Sequence, residues 1–152
     1  MKKLLLSAAV IALTGTALAQ DTKPTIVTPD DLKWTQGPAV PKGVEAAVIS
    51  GDPTKASPVL QRVRFAPNVV IPPHTHPYDE VVTVISGDNV TFGFGEKVDP
   101  SAPPTKPGTV IINPAKTPHY VRNGPEESIF QVQYVAPGGI DYLNPTDDPR
   151  KK

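Results

Sequence analysis

The chain has three histidines, at 74, 76 and 119. Two of them open the run His-Thr-His-Pro-Tyr-Asp-Glu, which sets Glu80 four residues after His76. Side chains alternate with a period of two along a β-strand, so positions 74, 76 and 80 are expected to face one side of a strand. Two imidazoles and a carboxylate are borderline ligands that suit a divalent Fe, Mn, Zn, Ni, Co or Cu ion. His119, in a second β segment behind the turn-like Ile-Asn-Pro-Ala-Lys-Thr-Pro, is the remaining imidazole and the candidate fourth donor. The alternative is a group of solvated surface histidines beside a proline-rich loop. Against it, Glu80 leads into the apolar run Val-Val-Thr-Val-Ile, and a carboxylate heading toward a core is costly unless it is paired or holds a metal.

The elements that must position these residues are short β-rich runs. They fall at about 44–50, 59–66, 80–86, 89–95, 109–112, 118–122 and 128–135, each flanked by Gly, Pro, Asn or Asp. Many short strands separated by turn signals predict a sandwich or barrel. Gly87-Asp88, between two of these runs, suits a tight type II′ hairpin joining them as antiparallel neighbours. No segment from 44 onward reads as a helix, and no internal repeat is present. Residues 20–43 hold four prolines and little periodicity, and are expected to form an extended arm anchored by Trp34. The barrel is expected over 44–143, and 144–152 as a frayed, solvated tail.

Together these residues resemble the two motifs of the cupins. The first runs Gly, five residues, HxH, three or four residues, Glu, six residues, Gly; His74, His76, Glu80 and Gly87 fall at that spacing, with Asn68 at the leading Gly. The second runs Gly, five residues, Pro, any residue, Gly, two residues, His, three residues, Asn. Gly108, Pro114, His119 and Asn123 match it, with Lys116 at the middle Gly. Asn tolerates the left-handed conformation that such turn positions require, and Lys does so less readily. The resemblance spans about 60 to 135 and implies an all-β, single-domain cupin: a small double-stranded β-helix, or jelly-roll, barrel with an N-terminal arm. It also implies one divalent transition metal ion held by His74, His76, Glu80 and His119 with an open coordination position, and a homodimer in which the 20–43 arm is a candidate crossing segment.

Strand phase suggests the rest of the site. Glu80 should share its face with Val82 and Val84, and Gln61 should share an apolar face with Val59, Val63 and Phe65, so Gln61 is a candidate for orienting a ligand. Tyr78 and Tyr120 flank metal-ligand positions and are candidates for hydrogen bonds to a substrate. Arg62 and Arg64 are expected to point outward. Glu80 is the candidate catalytic group, as a ligand and, when off the metal, as a general base.

The opening residues carry Lys2 and Lys3, an apolar stretch from Leu4 to Leu13 and the small-residue site Ala17-Leu18-Ala19. That is the pattern of a bacterial secretory signal over 1–19, cleaved after Ala19. The stretch is well short of the roughly 20 residues that span a bilayer. A periplasmic or secreted protein, free of the membrane after cleavage, is therefore expected. Cleavage leaves 13 basic against 15 acidic side chains, with no basic stripe or aromatic-basic interleaving, which argues against nucleic acid as a partner. A small-molecule substrate or ligand is the expected partner. The expected function is a metal-dependent enzyme catalysing oxygenation, isomerisation or a related proton transfer; a non-catalytic binding or sensing module is the alternative.

Overall fold

A computed structural model describes residues 23–152, so the expected signal segment lies outside the described residues. Ten strands form: β1 (Thr35–Gln36), β2 (Val44–Ser50), β3 (Pro58–Phe65), β4 (Val70–Thr75), β5 (Glu80–Ser86), β6 (Thr91–Phe94), β7 (Val110–Asn113), β8 (His119–Arg122), β9 (Ser128–Val135) and β10 (Asp141–Tyr142). They make two antiparallel sheets, ordered β1-β2-β3-β9-β5-β7 and β10-β4-β8-β6. The pairings β3 with β9, β4 with β8 and β5 with β7 are nested. The chain from β3 to β9 is thus one long hairpin rolled up on itself, the jelly-roll winding that was expected. Among the described residues no helix is long and apolar enough to cross a membrane.

Alternation fills the space between the sheets. On β9, Ser128, Phe130, Val132 and Tyr134 turn inward while Gln133 and Val135 face solvent; on β5, Val82 and Val84 turn inward. Phe130 meets Phe65 of β3 at 5.0 Å between ring centroids, and Val44, Val121 and Val132 complete the centre. Burying each such side chain contributes about 1.5–3 kcal/mol.

Several expectations need correcting. The Gly87-Asp88 turn does not close a hairpin: β5 pairs with β7 and β9, and β6 pairs with β8, so the turn carries the chain from one sheet to the other. Gly87 is needed there because φ is +106° and a Cβ would fall 2.5 Å from that of Ser128. β4 was not anticipated, because it contains Pro72 and Pro73. The two prolines occupy a register shift between Ile71 and His74 in the β4–β8 ladder, the kind of irregularity where missing N–H groups are tolerated. The tail is not frayed. Asn144 and Asp148 cap two 3-10 turns that each begin with proline, and Arg150 hydrogen-bonds both Asp148 and the Ile140 carbonyl. In the arm, Thr35–Gln36 adds a strand to β2 and the Arg64 guanidinium lies 4.5 Å from the centroid of the Trp34 ring.

Candidate metal centre

The rolled hairpin places the two motifs opposite each other in register. His74 on β4 pairs directly with His119 on β8, and Glu80 on β5 pairs with Asn113 on β7. Positions 74, 76 and 80 do not lie along one strand, as alternation alone suggested. A turn at 77–79 separates them, so the imidazoles come from the four-stranded sheet and its extension, and Glu80 from the six-stranded sheet.

One donor atom from each of His74, His76 and His119 lies within 4.8 Å of the others. Glu80 Oε1 stands 3.2 Å from His119 Nε2 and 3.8 Å from His76 Nε2. Such spacings suit ligands sharing one ion at bond lengths of about 2.0–2.2 Å. Each imidazole is oriented from behind by a backbone carbonyl at Nδ1: Pro72 for His74 at 2.7 Å, Gly139 for His76, and Thr117 for His119 at 2.9 Å. A carbonyl accepts only from N–H, which places a proton on Nδ1 and turns Nε2 inward, as metal-ligating histidines require; His119 Nε2 also lies within hydrogen-bond reach of Glu80 when it carries a proton.

The electrostatics favour the metal-ready form. Burial lowers the His74 pKa to about 3, helped by the charge of His119, and burial also lowers that of His76. Burial works to raise the Glu80 pKa but is outweighed by the His119 hydrogen bond, the neighbouring imidazole charges and the Asn113 hydrogen bond, so its carboxyl stays below the usual range. Neutral His74 and His76 beside a carboxylate are protonation states a divalent cation selects. The donor set therefore fits a metal ion.

Asn113 was not picked out from the sequence. It is buried at 1% exposure and donates from Nδ2 to Glu80 Oε1 at 2.8 Å, aiming the carboxylate. Its only cue is an Asn closing an otherwise apolar strand. Aromatic rings wall the imidazoles: Phe92 stacks on His119 at 5.1 Å, Tyr78 on His76 at 5.1 Å, and Tyr134 on Tyr78 at 4.5 Å. The Tyr78 hydroxyl, its pKa raised by burial and by the Glu80 charge, donates to the Gly139 carbonyl at 3.3 Å.

These groups open onto a cavity of about 630 Å³, mostly apolar, between the sheets. Gln61 and Tyr78 both line it. Tyr120 does not. One residue beyond His119, it turns to the opposite face of β8, where it is 1% exposed and its hydroxyl accepts from the Asp99 N–H at 3.1 Å. Its ring fills the space over Gly93, where an added Cβ would fall 2.1 Å from it. Tyr120 is a packing residue, and the substrate-contact expectation is corrected by the same period-of-two rule that places His119. The arm and the tail also reach the cavity, through Pro38 to Val40 and through Arg150.

The turn positions follow the motifs. Asn68 and Lys116, where the motifs carry glycine, both have φ of +60°. The Lys116 N–H donates to the His76 carbonyl at 2.8 Å, docking the second motif onto the first. Asn123 spends its Nδ2 on the carbonyls of Phe65, Ala66 and Glu126. The Cupin domain family profile matches residues 61–132, a span that contains all four candidate donors. The chain is a cupin.

No curated protein matches this cupin by sequence. Solved structures do match by fold. The polyketide cyclase RemF from Streptomyces resistomycificus superposes with a TM-score of 0.67 at 22% identity, over 85% of this chain and 92% of RemF. An uncharacterized protein with a double-stranded β-helix domain from Klebsiella pneumoniae gives 0.58 at 25% identity, over 80% of this chain and 99% of its own. Oxalate oxidase in complex with the substrate analogue glycolate gives 0.53 at 22% identity, over 71% of this chain and 59% of the oxidase. Enzymes are thus among the structures sharing the fold, which by itself leaves the chemistry open.

Proposed function

We propose that this cupin is an exported, metal-dependent enzyme that acts on a small molecule held inside the barrel, by oxygenation, isomerisation or a related proton transfer. The observation that carries this reading is the placement of the donor set on the wall of a cavity instead of in closed packing. Structural metal sites are closed, whereas catalytic ones keep a position for water or substrate. His74, His76, His119 and Glu80 would hold the ion. A bound divalent Fe, Mn, Zn, Ni, Co or Cu ion supplies Lewis acidity there, and a redox-active one adds electron transfer. Asn113 holds Glu80 in place, and Glu80, when it is off the metal, takes a proton from substrate as general base. The apolar wall keeps bulk water from the reacting groups.

Export rests on the signal pattern of residues 1–19, and homodimerisation on the resemblance and on β7, an edge strand that presents Val110 and Ile112 to solvent. One observation favours ligand binding without turnover: among the described residues Glu80 is the only carboxylate lining the cavity. The first test is elemental mass spectrometry on untagged protein purified without chelators, compared with His76→Ala and His119→Ala. About one metal equivalent in wild type, lost in both variants, is expected. A wild type that holds no metal and cannot be reloaded refutes the enzyme reading.

A further inference from the structure

Gln61 sits on the inner face of β3, in register with Val48 of β2 and Val132 of β9. Its inward neighbours along β3, Val63 and Phe65, and those across the barrel, Val82, Val121 and Phe130, are hydrocarbon. Among the described residues no hydrogen bond engages its carboxamide. Gln61 is partly exposed and water reaches its carboxamide, so this donor and acceptor are available to whatever displaces that water from the cavity. The register fixes its location. Glu80 pairs with Tyr134 and Tyr134 with Val59, so Gln61 lies two strands across from Glu80, about 10 Å, and two residues further in, about 7 Å. The cavity therefore has two polar ends with hydrocarbon between them.

Its charge is as informative. Among the described residues no lysine lines the cavity, and the one cationic side chain there, Arg150 at the mouth, is engaged by Asp148 at 2.8 and 2.9 Å and by the Ile140 carbonyl at 3.0 Å. At the Gln61 end, away from the ion that His74, His76, Glu80 and His119 would hold, a charged group would lose its hydration with no unspent protein cation to replace it. An uncharged molecule meets no such obstacle, and burial of its apolar body favours binding.

We propose that the cavity takes a mainly apolar molecule, uncharged at its inner end, carrying two oxygen functions, one directed at the His74–His76–Glu80–His119 end and the second hydrogen-bonded by the Gln61 carboxamide. The first contact rests on the metal-centre reading above; the second does not. Gln61 is then the specificity-determining residue that sets which molecules lie productively along the barrel.

The test is a cycle of two probes and three proteins, read by calorimetry on zinc-loaded full-length chain: 2-naphthol and 2,6-dihydroxynaphthalene against wild type, Gln61→Leu and Gln61→Asn. In wild type the second hydroxyl is expected to tighten binding about 3- to 10-fold, one neutral hydrogen bond. In both variants that gain should shrink below about 2-fold, with zinc content and thermal midpoint unchanged. Gln61→Asn keeps the amide but withdraws it by one methylene, and stands in if the Leu variant does not fold. A gain that persists in the variants overturns the assignment to Gln61. Binding of glycolate or oxalate in preference to both naphthols, or binding of none of the four, overturns the substrate class. Repeating the cycle on chelator-treated protein separates the two readings: a Gln61-dependent gain retained without zinc shows that the second contact stands by itself, and a wild type that keeps that gain but takes up no zinc refutes the metal centre alone.

Discussion

Acid should unfold the metal-free protein through its buried histidines. In the folded chain burial holds the His74 pKa near 3, whereas an unfolded histidine titrates near 6.5. As pH falls below 6.5 the unfolded state takes up a proton that the folded state refuses until about pH 3. The contribution is therefore fully present above pH 6.5 and is lost as pH falls toward 3, at about 1.4 kcal/mol per pH unit. At pH 5.5, one unit into that window, His74 alone removes about 1.4 kcal/mol. His76, also lowered, acts with the same sign. Glu80, lowered as well, adds its loss only as pH falls below its unfolded value of 4.5, so the upper part of the window isolates the imidazoles. The assay is urea unfolding of chelator-stripped protein at pH 7.5, 6.5, 5.5 and 4.5. With a urea m-value of about 2 kcal/mol/M, the midpoint should fall by about 0.7 M between pH 7.5 and 5.5 from His74, and further if His76 contributes fully. His74→Gln should flatten the profile by about one proton. A midpoint that stays level or rises on acidification from pH 7.5 to 5.5 refutes the picture of neutral, desolvated imidazoles.

Two substitutions test how the centre is supported. Asn113→Leu removes the donor that aims Glu80, and metal affinity should weaken about 10- to 100-fold in a competition titration with a chelating dye; an unchanged affinity refutes the positioning role. Lys116→Gly relieves a left-handed residue, worth about 1–2 kcal/mol, against about 0.4–1 kcal/mol of added unfolded-state freedom. Its thermal midpoint should rise by a few degrees, and a fall shows that the lysine side chain contributes something the backbone argument omits.

That His74, His76, Glu80 and His119 would gather at one place was legible because the residue types and spacings that metal ligation demands left few other assignments. The inward face of β5, Glu80 with Val82 and Val84, was legible for the same local reason. What escaped depends on partners distant in sequence. Pro72 and Pro73 argue against a strand by every local rule, and only the register shift opposite β8 accommodates them. Gly87-Asp88 announces a turn, yet turn chemistry does not say whether the flanking strands pair, and here they go to different sheets. Asn113 acquires meaning only once β7 lies beside Glu80. The tail was misread despite a local signal: Asn144-Pro145 and Asp148-Pro149 each place a capping residue before a proline, the start signature of a short helical turn. Tyr120 was lost by judging nearness in sequence before strand phase.

Because the imidazoles belong to one sheet and Glu80 to the other, an ion at this centre would be a rivet through the sandwich. Its release into the cavity would be eased whenever the two sheets moved apart at that end, so ion exchange would be sensitive to the opening of the barrel. The dwell time of the metal would then report how often the barrel breathes. Any molecule filling the cavity and bracing both sheets should lengthen that dwell time even where it never touches the ion.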